Sequence, residues 1–155
     1  MAERIGDALL QAQCLTYLSI VHRRRGQIEE TRRFSSHALA KATDVQRPEF
    51  IGMAKANLAW VSWRLDNVEE RQENGLAALK LWRLSPIKFP FWWVAILPLM
   101  SVALAKQQVS EAVGYARTLL LPHQQRLPDV LTTALETAIQ AWDAGQLGSA
   151  RSHLQ

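Results

Sequence analysis

The chain has 155 residues, of which 48% are hydrophobic and 21% charged, with a net charge of +4. That length and apolar content support a folded core and exclude a disordered chain. Seven Gly and six Pro are few turn signals for an all-β fold, and a single cysteine, Cys14, excludes an intramolecular disulfide and fits a cytoplasmic location.

The N-terminus, Met1-Ala2-Glu3-Arg4, lacks the apolar stretch of a secretory signal. Leu9, Leu10, Leu15, Leu18, Ile20 and Val21 then predict an apolar helical stripe from about Asp7 to Arg25. Cys14 falls within it and is expected to be a small buried hydrophobe. The basic run ending at Arg25 and the following Gly26 suit a helix C-terminus, where carbonyl ends are partly negative and a left-handed residue closes the turn. A second helix runs from Ile28 through Phe34, Ala38 and Leu39, with Glu29 and Glu30 in its first turn. Pro48 and Glu49 open a third, which Met53, Leu58, Ala59, Val61 and Leu65 carry to Asp66. Val68 begins a fourth, ending at Leu84, and residues 85–90 form a loop. The fifth spans Phe91 to Lys106, and the sixth Val109 to Leu121, where Pro122 stops it. After a loop at 122–128, the seventh spans Asp129 to Ala144, and Leu147 starts an eighth. No segment alternates apolar and polar residues as a half-buried strand would.

Residues Phe89 to Ala105 form an uncharged run of 17 between Lys88 and Lys106. This is shorter than the roughly 20 apolar residues of a spanning helix and is broken by Pro90 and Pro98. A helix sandwiched between neighbours is the expected form, and no membrane partner is expected.

The tight turns repeat. Gly26-Gln27-Ile28, Asp66-Asn67-Val68, Gln107-Gln108-Val109 and Gly145-Gln146-Leu147 align at spacings of 40, 41 and 38 residues. Ala38-Leu39, Ala78-Leu79 and Leu119-Leu120 follow the first three turns at a common offset. A period near 40 means one helical hairpin repeated, and such a unit buries its apolar face only by stacking on the next. The expected fold is all-α, one domain over residues 1–155, with hairpins at about 5–43, 48–84, 90–121 and 129–155.

Gly26, Ile28, Phe34, Ala38 and Leu39 resemble the turn and second helix of a tetratricopeptide (TPR) repeat. So do Val109, Glu111, Ala112 and Tyr115, and Gly145, Leu147 and Ala150. Thr31 and Arg71 depart from the pattern, standing where the family has a small Ala at the helix crossing, and the period exceeds the family's usual 34. The longer form resembles the C-terminal helical arrays of bacterial STAND-type signalling ATPases and transcriptional regulators. The resemblance implies a right-handed α-α superhelix that binds a protein, peptide or small ligand in its concave groove, as the sensor or scaffold arm of a larger regulator. It places Tyr17, Arg24, Met53, Asn57, Trp60 and Arg64 on the groove face. Trp60 and Arg64, an i, i+4 pair of the types that dominate interfaces, form the leading site, with packing between hairpins the alternative for Trp60 and Trp63.

Phe89, Phe91, Trp92 and Trp93 form either an exposed anchor or a plug for the gap left by the long loop, the plug being favoured. The basic group of His22 to Arg25 with Arg32 and Arg33 reads first as a solvated helix end and second as a phosphate contact, which makes nucleic acid the lesser alternative. The last helix is about half the length of its counterparts, so self-association through that hairpin is a further expectation. No catalytic motif, metal-ligand spacing or cofactor loop occurs, and neither enzyme activity nor a cofactor is expected.

Overall fold

The computed structural model describes residues 2–86 and 88–155, with the side chains of residues 2–6 outside that description. Among the described residues there are eight helices and no strand: α1 (Ala2–Arg24), α2 (Ile28–Asp44), α3 (Pro48–Arg64), α4 (Val68–Leu84), α5 (Trp93–Ala105), α6 (Val109–Leu119), α7 (Asp129–Asp143) and α8 (Leu147–Leu154). Each helix packs on the next, and α1, α3 and α5 also touch in sequence, so the first helices of successive hairpins share a layer.

The four aligned turns share one backbone geometry. Gly26, Asp66, Gln107 and Gly145 all have positive φ, between 56° and 75°. In each turn the next residue's N–H reaches back five residues to a helix carbonyl, as in Gln27 to His22 at 3.0 Å and Gln108 to Ala103 at 2.8 Å. This is the Schellman closure, which satisfies carbonyls left over at a helix end. Gln46 (φ 54°) makes the same turn between α2 and α3. That link is therefore built like those inside the hairpins. Asn67 adds a reciprocal cap at α4, its Oδ1 accepting from the Glu70 N–H at 3.2 Å and its Nδ2 donating to Glu70 Oε2 at 3.0 Å.

The repeat is also visible in what is buried. Thr31, Ser35 and Ala38 of α2 occupy the same offsets from their turn as Arg71, Gly75 and Ala78 of α4, and Ala112, Ala116 and Leu119 of α6, and all nine are buried. Mostly small side chains at these offsets let the helix axes approach closely. Gly75 is the extreme case: a Cβ there would lie 2.7 Å from Leu99 Cγ on α5. Thr31 fits by turning its hydroxyl onto the Gln27 carbonyl at 2.6 Å. Arg71 fits by reaching across to α5, donating to Ser101 Oγ at 2.9 Å and approaching Asp66 Oδ1 at 3.4 Å. Ser101 in turn donates to the carbonyl of Pro98 at 2.6 Å.

Several boundaries and faces differ from the sequence expectations. Helix α1 starts at Ala2, and its buried stripe is Ala12, Thr16 and Ser19 rather than the larger apolar residues. Leu10, Leu18 and Val21 are exposed, because the close α1–α2 contact selects small residues, with Ser19 Oγ and Ser35 Oγ 2.6 Å apart. Cys14 is exposed, not buried: it follows Ala12 by two residues, about 200° round the helix and away from that contact. Helix α6 ends at Leu119, since the residue before Pro122 is pushed out of helical geometry. Helix α5 begins at Trp93, two residues later than expected.

That helix supplies the centre of the core. Val94, Ala95, Ile96, Leu99, Met100, Ala103 and Leu104 are buried in one cluster with Leu79, Trp82 and Leu135. Burial of each large side chain contributes about 1.5–3 kcal/mol. Among the described residues, no helix is long and apolar enough to cross a membrane.

Candidate functional site

A cleft of about 540 Å³ opens between α1, α3 and the start of α5. Helix α1 contributes Tyr17, Ile20, Val21, Arg23 and Arg24; α3 contributes Glu49, Phe50 and Met53; the third wall is Phe89, Phe91, Trp93 and Val94, with Gln125 beside it. The volume is within the range of small-ligand pockets, and a mostly apolar lining with a few polar groups is their usual character.

The aromatic wall is held from two sides. Trp82, on α4, is almost wholly buried and stacks on Phe89 at 4.7 Å, and Phe91 meets Phe89 edge-on at 5.3 Å. The 122–128 loop straps the other side. Gln125 N–H donates to the Pro90 carbonyl at 2.8 Å, and Trp93 Nε1 donates to Gln125 Oε1 at 2.9 Å. Gln124 accepts from the Trp92 N–H at 3.1 Å and donates to the Phe89 carbonyl at 3.2 Å. The Pro90 carbonyl, taken by Gln125, is thereby withheld from a helical N–H, and the Val94 N–H donates to the Phe91 carbonyl at 3.2 Å instead. The 89–93 segment therefore fills the gap beside the long loop and presents an aromatic surface to the cleft as well.

The arginines at the end of α1 behave differently from one another. Arg23 lies half-buried with its guanidinium carbon 5.2 Å from the centre of the Trp93 ring. Burial, and then the adjacent charge of Arg24, hold its pKa down to about 10. It remains charged at neutral pH, in a position that disfavours the charge. Arg24 is exposed at the cleft edge. Among the described residues the lining has one carboxylate, Glu49, which is engaged by Arg47, whose Nε and Nη2 lie 2.6 and 2.5 Å from its Oε1.

Of the groove residues expected from the sequence, Tyr17, Arg24 and Met53 converge on this cleft. Asn57, Trp60 and Arg64 do not line it. Asn57 is wholly buried one turn beyond Met53, and neither amide atom has a hydrogen-bond partner among the described residues. In this arrangement it offers a partner no surface. Trp60 is half-buried, while Trp63 and Arg64 are exposed towards the C-terminal end of α3. Phe50, Trp93 and Gln125 were not singled out as groove residues. The unusual 89–93 aromatics were the available signal for Trp93; nothing local marks Gln125, because its role depends on a contact across 35 residues of chain.

The rest of the basic group is dispersed. Arg32 approaches Glu29 at 3.8 Å, Arg33 lies over the Phe34 ring at 4.7 Å, and His22 stacks on the same ring at 5.0 Å. Among the described residues, no group of three or more His, Cys, Asp or Glu is placed to hold a metal ion. Comparison with protein-family models, with curated proteins and with solved structures finds no match for this chain.

Proposed function

We propose that the chain is a TPR-like superhelical binding array that takes its ligand in the cleft between α1, α3 and the 89–93 segment, and that it acts as a sensor or scaffold arm rather than as a catalyst. The observation that carries this reading is the convergence of Tyr17, Arg24 and Met53, from two separate hairpins, on one 540 Å³ cleft. The shared turn geometry and the repeated burial offsets support a stacked array. On this reading the contacting helices α1, α3 and α5 would be the groove-facing ones. The nucleic-acid alternative is less well supported, since Arg23 turns into the cleft and Arg32 and Arg33 have local partners.

The test uses the neutral apolar fluorophore N-phenyl-1-naphthylamine. It should bind the native chain saturably at one site. Val21 is 43% exposed and lines the cleft, so Val21→Trp should fill the space without disturbing the core. Loss of probe binding in that variant, with an unchanged far-UV spectrum, supports the site. Equal binding by Val21→Trp, or no saturable binding to the native chain, overturns it.

A further inference from the structure

The cleft has an uneven chemistry. Most of its wall is apolar, from Tyr17, Ile20, Phe50, Met53 and Phe91, while Arg23 and Arg24, at the end of α1, both border it, the first half-buried and the second exposed. Neither Arg23 nor Arg24 has an ion pair among the described residues. The carboxylate that could have answered them, Glu49, is held by Arg47 instead. Arg23 is further constrained by its position over Trp93, which directs a cation into a partly desolvated space. A half-buried arginine with no carboxylate partner gains most from an anion that arrives with its own apolar body, because the same event neutralises the charge and covers the aromatic wall.

The cleft is also bounded. A peptide laid along the hairpin layer would proceed from Met53 towards Trp60 and Arg64, but those residues lie outside the lining, and the next groove position, Asn57, is buried. A compact molecule fits this space better than an extended chain does.

We propose that the ligand of this cleft is a small amphipathic carboxylic acid, its carboxylate received by Arg23 and Arg24 and its apolar body lying against Tyr17, Phe50, Met53 and Phe91. This rests on the reading of the cleft as the binding site. The charge of Arg23 supplies the selectivity for an acid head group, and the apolar wall supplies the affinity for the tail.

The experiment is displacement of bound N-phenyl-1-naphthylamine by three eight-carbon compounds below their aggregation limits: octanoate, octan-1-ol and octyltrimethylammonium. Octanoate should displace the probe at concentrations about ten- to a hundred-fold lower than either of the others, the range expected for a charge-assisted hydrogen bond. Arg24→Gln, at an exposed position, should weaken octanoate while leaving the alcohol unchanged. Arg23→Gln should do so more strongly. Equal displacement by octanoate and octanol, or indifference of octanoate to both substitutions, overturns the acid assignment and leaves the cleft standing as an apolar site. Failure of the probe to bind at all takes down the cleft reading, and the acid assignment with it.

Discussion

Gly52→Ala gives a sharp test of the packing, because two physical effects predict opposite signs. Glycine inside a helix costs about 1 kcal/mol relative to alanine, so on propensity alone the substitution stabilises α3. The structure predicts the reverse. A Cβ at position 52 would lie 2.8 Å from Cε2 and 2.9 Å from Cδ1 of Trp82, inside van der Waals contact. The indole cannot withdraw, since it is 1% exposed and stacked on Phe89, and its Nε1 donates to the Glu49 carbonyl at 3.3 Å. Overpacking of this kind costs about 1–3 kcal/mol, and a buried ring stacked on one face and hydrogen-bonded at its edge belongs at the upper end. After the propensity gain, the net loss should be about 2 kcal/mol. At about 2–4 °C per kcal/mol for a chain of this size, Tm should fall by about 4–8 °C. Urea denaturation followed by circular dichroism should show a lower midpoint with an unchanged slope. In a Trp82→Leu background the same substitution should become neutral or stabilising, a coupling that a double-mutant cycle isolates. An unchanged or raised Tm for Gly52→Ala alone would refute the argument that Trp82 occupies the space a Cβ needs.

Two other predictions concern polar groups. Asn57→Leu keeps side-chain volume and removes an amide that is buried without a partner, so it should raise stability by about 1 kcal/mol; a loss of that size in a denaturant titration would mean that the amide is bonded in solution. The Tyr115 phenol is pushed up to about 12, by burial first and then by its 3.0 Å hydrogen bond and proximity to the Glu111 carboxylate, against a weaker opposing effect of Arg83. Its folded pKa is raised, so its contribution to stability is complete below pH 10 and is lost as pH rises from 10 to 12. A difference titration at 295 nm against Tyr115→Phe should place the phenolate step near pH 12, and Glu111→Gln should move it part of the way back; a step at the ordinary value in the native chain would contradict the burial.

The all-helical fold was legible because its signals are local. Turn residues, caps and the small or apolar pair at a common offset after each of the first three turns can all be read within a window of one hairpin. Even so, only two of the five positive-φ positions carry a glycine, and Asp66 and Gln107 stood out only by alignment with Gly26 and Gly145. Gln46 was not recognised as a turn of the same kind. On α1 the large apolar residues do not mark the core face. Close helix approach prefers Ala12, Thr16 and Ser19 there, and it leaves Leu10 and Cys14 in solvent. The cleft was only partly legible. Tyr17, Arg24 and Met53 follow from helical register within a hairpin, but Phe91, Trp93 and Gln125 join them through hydrogen bonds between two long loops. Such closures depend on where the chain returns, which no local window records.

The uniform turns have a mechanical consequence. Helices α1 to α4 are joined by three-residue links of one geometry, at 25–27, 45–47 and 65–67. The links at 85–92 and 120–128 interrupt that regularity, and glutamine side chains clasp them to each other. A bending load along the helices would be carried across this joint by those glutamine bonds and by the packing of α5 on α3 and α4. The cleft lies against this joint, so a molecule bound there would touch α1, α3 and the 89–93 segment at once and tie them together.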